Sequence, residues 1–190
     1  MGRGVEKVTA DRGAQSPPAA GEGRPPAGAI AIQDRYADDF AWCYGCGRHN
    51  PAGLGLKTHW DGEGTVTRFR PRPEHMAVPG YVYGGLIASL IDCHSMATAS
   101  LALYHRDGHR LGDPEPVPRC VTASLQVDYL RPTPLGPELV VRGRVVELGA
   151  RKAVVESELY ANGVLCARGR VVAVPAPPTM TGASPGQGEG

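Results

Sequence analysis

The stretch GGLIASLIDCHSMATASLALYHRDG, residues 84–108, decides the fold. After its two glycines it continues for about twenty residues without Pro or Gly and is rich in Leu and Ala, which predicts one α-helix that ends near Asp107 and Gly108. Apolar residues lie on most of its faces, and a helix that is hydrophobic nearly all round is buried inside a protein. We therefore expect a central helix, ~30 Å long, that the rest of the chain covers.

The sequence on either side of this helix predicts antiparallel strands. Upstream, two β-rich runs are joined by the turn residues 61–64, and downstream the residues alternate between apolar and polar from Val121 to Tyr129. Asn162 and Gly163 predict a tight hairpin between the last two runs. The predicted strands are 54–60, 64–70, 121–129, 139–147, 152–160 and 164–174. A helix followed by a meander of strands is hidden only if the sheet wraps around it, so the predicted fold class is α+β with the hotdog architecture.

The two ends of the chain have a different composition from its middle. Residues 1–33 are dominated by Gly, Ala, Pro and charged residues, and residues 175–190 by Pro, Gly, Thr and Ser. Such segments bury too little apolar surface to offset the entropy lost on ordering. We predict an N-terminal tail over 1–33, one folded domain over 34–174 and a C-terminal tail over 175–190.

Composition and charge exclude several classes of function. The 190 residues carry a formal net charge of +1, so the chain lacks the basic field that nucleic acids attract. Its N-terminus lacks the apolar core of a signal peptide, its five cysteines are an odd number, and no uninterrupted apolar run reaches the length of a membrane span. These features predict a cytoplasmic protein that binds neither nucleic acid nor membrane and needs no cofactor.

The start of the long helix is a candidate catalytic site. The first N–H groups of a helix have no partner within it, and Gly84 and Gly85 allow a ligand to approach them closely. Such donors can stabilise the negative charge that develops on a thioester carbonyl under attack. Asp92 adds a carboxylate in an apolar stretch, where burial should raise its pKa towards the range of a general base. The alternative for Asp92 is a structural carboxylate with a hydrogen-bond partner in the core.

Helix geometry separates these two groups. Gly85 and Asp92 are seven residues apart, so they lie within about 20° of one face but ~10.5 Å apart along the axis. One carbonyl cannot touch both groups of one helix. If they act together, the helix start of one chain faces Asp92 of a second chain, which predicts a two-fold homodimer with two shared sites. Two such dimers can pair into a dimer of dimers.

Histidine and cysteine residues offer weaker candidates. His94 points away from Asp92, because two residues along a helix correspond to a rotation of about 200°, and a core or interface histidine is the favoured interpretation. Cys43 and Cys46 have the spacing of a zinc ligand pair, but the sequence shows no second pair nearby. We therefore predict no metal and interpret the two cysteines as small apolar residues in a tight turn.

Three motifs resemble the hotdog acyl-CoA thioesterases of the phenylacetate-pathway type. They are CYGCGRHNPAGLGL at 43–56, PGYVYGGLIASLIDCHS at 79–95 and VTASLQVDYLRPTPLG at 121–136. The resemblance covers most of 42–174. It implies that Asp92 is the general base or nucleophile, that the N–H groups of Gly84 and Gly85 polarise the thioester carbonyl, and that Thr122 positions water or Asp92.

The chain departs from that family at one position. Its members usually carry His before the two glycines, whereas this chain carries Tyr83, whose hydroxyl can donate a hydrogen bond but does not carry protons near neutral pH as a histidine does. We expect Tyr83 to contact the substrate. The placement of Thr122 beside Asp92 rests on the resemblance, because strand alternation puts Thr122 on the face opposite Leu125.

These observations favour hydrolysis of an acyl thioester to a free acid and a thiol. The substrate would be an acyl-CoA or an acyl-carrier protein, with CoA as part of the substrate and Arg131 as a candidate contact for its phosphates. The alternatives are a hotdog dehydratase or hydratase, which usually places a histidine against the carboxylate, and a non-catalytic protein that binds acyl thioesters.

Overall fold

The computed structural model describes residues 28–177 and 180. Most of both predicted tails therefore lies outside the described residues. The predicted start of the folded domain at residue 34 is wrong, because a short 3₁₀ turn spans Ile32–Arg35 and both Ile32 and Gln33 are buried. Gln33 is ordered by the neighbouring sheet, since its side-chain amide donates to the hydroxyl of Thr58 at 2.7 Å and accepts from the Thr58 N–H at 2.8 Å.

The predicted central helix is confirmed and forms α1, Gly84–Arg106. By its length and composition alone, α1 could span a membrane. However, 78% of its most apolar 18-residue stretch is buried inside the protein, as expected of a core helix. It contacts all six strands of the sheet. The strands are β1 Thr58–Trp60, β2 Thr65–Phe69, β3 Cys120–Tyr129, β4 Leu139–Leu148, β5 Ala153–Ala161 and β6 Val164–Pro175.

The six strands form one antiparallel sheet in the order β1-β2-β4-β5-β6-β3. The α+β fold with a sheet around one helix is confirmed, but β3 does not continue into a meander as predicted. It lies at the far edge beside β6, and the loop that follows it crosses the start of α1. In that crossing the Val82 N–H donates to the Thr133 carbonyl at 2.9 Å, and the Leu135 N–H donates to the Gly80 carbonyl at 2.8 Å.

The first strand is also shorter than predicted. It begins at Thr58 and not at residue 54, because the N–H groups of Leu54 and Leu56 donate to the carbonyls of Tyr44 and Gly45. These two hydrogen bonds join the segment before β1 to a loop that contains two cysteines. The segment is therefore not available to pair in the sheet. The hairpin between β5 and β6 forms as predicted, with Asn162 and Gly163 both at positive φ.

Glycine lets the sheet approach the helix closely at two points. A Cβ at Gly169 of β6 would overlap the Cγ2 of Ile91, and a Cβ at Gly143 of β4 would come within 2.5 Å of the His94 ring. Both contacts lie on the inner face of the sheet, against α1. The wrapping of the sheet around the helix therefore depends on residues without a side chain at these positions.

Replacing Gly169 by Ala should destabilise the protein by about 1–3 kcal/mol, because the new methyl group overpacks the contact with Ile91. The matched control is Gly149→Ala, where the nearest atom to the new methyl is the Lys152 carbonyl oxygen at 3.6 Å, an ordinary contact. Urea unfolding of both variants at one protein concentration measures the difference. Equal stability of the two variants would contradict close packing at Gly169.

Candidate active site

Asp92 and Thr122 meet at the edge of the sheet. Asp92 projects from the third turn of α1, and the Thr122 hydroxyl of β3 donates to its Oδ1 at 2.5 Å. Asp92 is half-buried, and burial raises the pKa of its carboxyl group, whereas the hydrogen bond from Thr122 opposes that rise. A raised pKa is the direction expected from the apolar residues around Asp92 in the sequence.

A β-bulge explains why Thr122 can reach Asp92. Thr122 pairs with Ala173 and Ser124 with Val172, so Ala123 is an extra residue in β3. The bulge reverses the alternation of side chains, and Thr122 therefore faces α1 together with Leu125. Simple alternation along the strand predicted opposite faces for these two residues, and that expectation is wrong.

The first turn of α1 presents unpaired N–H groups. In the part of the chain that the structure describes, the N–H groups of Gly84 and Gly85 have no recorded acceptor, whereas the N–H of Leu86 donates to the Tyr83 carbonyl at 3.1 Å. The Tyr129 hydroxyl donates to the Gly84 carbonyl at 2.9 Å. A tyrosine of the edge strand β3 thus holds the helix start in place.

Tyr83 covers this helix start. Its backbone is fixed because its N–H donates to the His75 carbonyl at 2.9 Å, and its ring lies over Gly85 so closely that a Cβ there would overlap the phenol. Tyr83 is 54% exposed. Its phenol therefore lies at the surface beside Gly85.

The two halves of the candidate site are separate within one chain. The helix is continuous from Gly84 to Arg106, so the separation of about 10.5 Å along the axis between Gly85 and Asp92 holds. Exposed apolar and aromatic side chains surround both halves, an arrangement typical of interaction surfaces. They are Tyr81, Tyr83, Leu125, Tyr129 and Leu130.

Arg131 has a partner within the chain. Its guanidinium donates to the Leu165 carbonyl at 2.9 Å at the beginning of β6, where it remains exposed. One of its nitrogen atoms is thus occupied by the backbone, and the others remain available to a ligand.

His94 is a core histidine, as its position on the helix predicted. It is fully buried, and its Nδ1 and Nε2 lie 2.8 and 3.2 Å from the hydroxyls of Thr67 and Thr65. Burial lowers the pKa of His94 to about 3, so its ring is neutral near physiological pH. It contributes to the polar network inside the sheet and does not contact Asp92.

The structure brings a third cysteine to the Cys43 and Cys46 pair. Cys93 of α1 places its Sγ 3.9 Å from that of Cys43, and the three sulfur atoms lie within 4.8 Å of one another. Sequence spacing did not predict this cluster, because no second pair of ligands lies close to Cys43 and Cys46 in the sequence. Cys93 is distant along the chain and lies within an apolar helix.

Comparison with known proteins gives a consistent family. The family model described as thioesterase superfamily matches residues 79–167. A thioesterase superfamily protein from Shewanella loihica is 50% identical, and the match covers 65% of this chain and 92% of that protein with a TM-score of 0.54. A mutant of the phenylacetic acid degradation protein PaaI from Thermus thermophilus is 27% identical, with 65% and 95% covered and a TM-score of 0.50.

A curated relative matches over a shorter region. Acyl-coenzyme A thioesterase THEM4 from Xenopus laevis is 31% identical over 97 residues, which are 51% of this chain. The match spans only 37% of the length of that relative.

The buried state of His94 predicts how stability changes with pH. The unfolded chain protonates this histidine below about pH 6.5, but the folded chain does so only near its pKa of about 3, so acid shifts the equilibrium towards unfolding. Between those two pH values, the protonation of His94 should lower the free energy of unfolding by up to ~1.4 kcal/mol for each pH unit of acidification.

Urea unfolding at neutral and mildly acidic pH tests this expectation. The His94→Gln variant should be less stable than the wild type at neutral pH but lose less stability as the pH falls. His109→Gln, at a half-buried histidine outside the helix, is the control for the change from His to Gln itself. If the wild type and His94→Gln have the same slope, His94 titrates normally in the folded protein.

Proposed function

Because this chain belongs to the thioesterase superfamily, we propose that it hydrolyses an acyl thioester to a free acid and a thiol. The observation that carries the proposal is the hydrogen bond from Thr122 to Asp92, which holds a half-buried carboxylate of raised pKa at the open edge of the sheet. The chain contains this carboxylate and the helix start with unpaired N–H groups, the two parts that the reaction needs. Acyl-CoA is the favoured substrate class, since THEM4 is named as an acyl-coenzyme A thioesterase.

In the proposed reaction Asp92 activates the attacking group. As a general base, its carboxylate takes a proton from water while the water oxygen attacks the thioester carbonyl carbon. The N–H groups of Gly84 and Gly85 hold the resulting oxyanion. The carbon–sulfur bond then breaks, and the thiolate leaves and takes up the proton. If Asp92 acts as the nucleophile, its oxygen forms the new bond to the carbonyl carbon, and the carbon–sulfur bond breaks as the thiolate leaves. Water then hydrolyses the mixed anhydride to the free acid and the Asp92 carboxylate, and the released proton goes to the thiolate.

We propose that two chains share each active site. The argument is geometric, because one carbonyl cannot touch both Gly85 and Asp92 of the same helix. Two features support a partner at this place: β3 is an edge strand with exposed side chains along most of its length, and the exposed tyrosines lie around the site. A two-fold homodimer would place the helix start of one chain opposite Asp92 of the other, and two such dimers could pair.

Arg131 and Tyr83 are the proposed substrate contacts. Tyr83 can donate its hydroxyl to the carbonyl oxygen, and Arg131 retains free donors for a phosphate group. The odd number of cysteines supports a reducing compartment, and we place the protein in the cytoplasm.

The dehydratase or hydratase alternative receives no support from the site. Those enzymes usually place a histidine against the carboxylate, but His94 is held inside the sheet by Thr65 and Thr67. The recorded side-chain partner of Asp92 within residues 28–177 is Thr122. Hydrolysis with water as the second reactant fits this arrangement better.

Replacing Asp92 by Asn should lower thiol release from acyl-CoA substrates by ~10²-fold or more, because the amide can act neither as a base nor as a nucleophile. A thiol-reactive dye measures release across a panel of acyl chain lengths. The control is Asp128→Asn, a change of the same size at an exposed aspartate of β3. Size-exclusion chromatography checks that both variants assemble like the wild type, and unchanged turnover in Asp92→Asn would contradict the mechanism.

Tyr83→Phe keeps the ring over Gly85 and removes only the hydroxyl. If that hydroxyl donates to the carbonyl in the transition state, kcat/KM should fall ~10-fold, the value of one hydrogen bond. Tyr81→Phe, at another exposed tyrosine of the same loop, is the matched control and should match the wild type. Equal kinetics in both variants would show that the Tyr83 hydroxyl takes no part in the reaction.

A further inference from the structure

Three thiols from two distant segments of the chain meet directly behind Asp92. Cys43 and Cys46 belong to the loop before β1, and Cys93 follows Asp92 on α1. Cys46 and Cys93 are buried and Cys43 is half-buried. The other two cysteines, Cys120 and Cys166, are not part of this group, so the cluster reflects the folding of the loop against the helix.

The backbone around the pair forms a tight turn that brings the sulfur atoms together. The Gly47 N–H donates to the Cys43 carbonyl at 2.7 Å, and a Cβ at Gly47 would lie 2.5 Å from the Cys43 nitrogen. A Cβ at Gly45 would overlap the Sγ of Cys93. The Cys46 backbone also hydrogen-bonds to the Cys43 sulfur. Both glycines are therefore needed for the loop to close around the thiols.

A cation beside the cluster favours negatively charged sulfur. Arg119 is half-buried, its Nη1 lies 3.7 Å from the Sγ of Cys46, and its guanidinium carbon lies 4.8 Å from the centre of the Tyr36 ring. No ion pair between Arg119 and a carboxylate is recorded over residues 28–177. A guanidinium in such surroundings is stabilised by an anion, and the thiolate is the form of cysteine that binds metals.

We propose that Cys43, Cys46 and Cys93 bind one divalent cation of the zinc type as thiolates. In tetrahedral coordination, Zn–S bonds of ~2.3 Å place the sulfur atoms ~3.8 Å apart, close to the 3.9 Å between Cys43 and Cys93. Binding releases the three thiol protons to solvent. Three thiolates and a divalent cation carry a net charge of −1, which the positive charge of Arg119 offsets.

The fourth coordination position is open to water or to another small ligand. His49 follows the pair in sequence but does not belong to the cluster, because its Nε2 lies 3.0 Å from an oxygen of Asp38. The bound metal ties the loop before β1 to α1 at the residue after Asp92. Its role is to fix that loop, and the reaction needs no step at the metal.

The test uses the full-length protein, purified under reducing conditions and loaded with zinc or cobalt. We expect one equivalent of metal per chain by elemental analysis, and an absorption band of thiolate-to-cobalt charge transfer for the cobalt form. Cys93→Ser should weaken zinc affinity at least ~10-fold and reduce that band. Cys166→Ser, a change of the same size at a buried cysteine outside the cluster, should bind like the wild type.

Two results would overturn the proposal. One is that the reduced wild type binds no more zinc or cobalt than a variant with all three cysteines changed to Ser. The other is a protein that binds no metal, has an intact mass lower than expected by two hydrogen atoms, and has two cluster thiols that no longer react with a thiol reagent. That result would identify the cluster as a disulfide-forming redox pair. Because Cys93→Ser changes the core, Cys43→Ser in the half-buried loop gives a second variant that should lose the metal and keep the fold.

Discussion

The burial of one apolar helix is the constraint on which the rest of the structure depends. The sheet surrounds α1 closely enough that Gly143 and Gly169 are required on its inner face. Each polar side chain of the helix must then find a partner inside the protein, since an unpaired buried polar group costs about 1–3 kcal/mol. His94 pairs with two threonines of β2, and Ser95 lies 2.9 Å from Ser157 of β5.

Asp92 also has a hydrogen-bond partner within the protein, at the edge of the sheet. Its partner Thr122 belongs to the edge strand β3, where the wrapping ends and solvent begins. Deeper in the helix, full burial would have kept the carboxyl group protonated and neutral. On an exposed helix, its pKa would have been ordinary. The edge gives partial burial, which raises the pKa of Asp92 and still leaves the carboxylate accessible. The proposed catalytic carboxylate thus lies where the sheet no longer covers the helix.

The sequence predicted the elements well and their long-range arrangement poorly. The helix and the hairpin at Asn162 and Gly163 depend on local patterns, so both could be read directly. The place of β3 at the far edge and the extra residue at Ala123 depend on pairing with β6, which no local pattern encodes. For the same reason Cys93 could not be assigned to the pair at Cys43, because the contact joins residues fifty positions apart.

A loop and an edge strand border the two sides of the carboxylate. On the core side, Asp92 is followed by Cys93, which contacts the loop of Cys43 and so connects the helix to the chain before β1. On the other side, β3 offers an unpaired edge, and Tyr83 and Tyr129 are both more than half exposed. In the proposed dimer, the unpaired donors at the start of one helix act with the carboxylate of the other chain, because the two groups of one helix lie two turns apart. The exposed edge of the sheet is the place where such a second chain would be held.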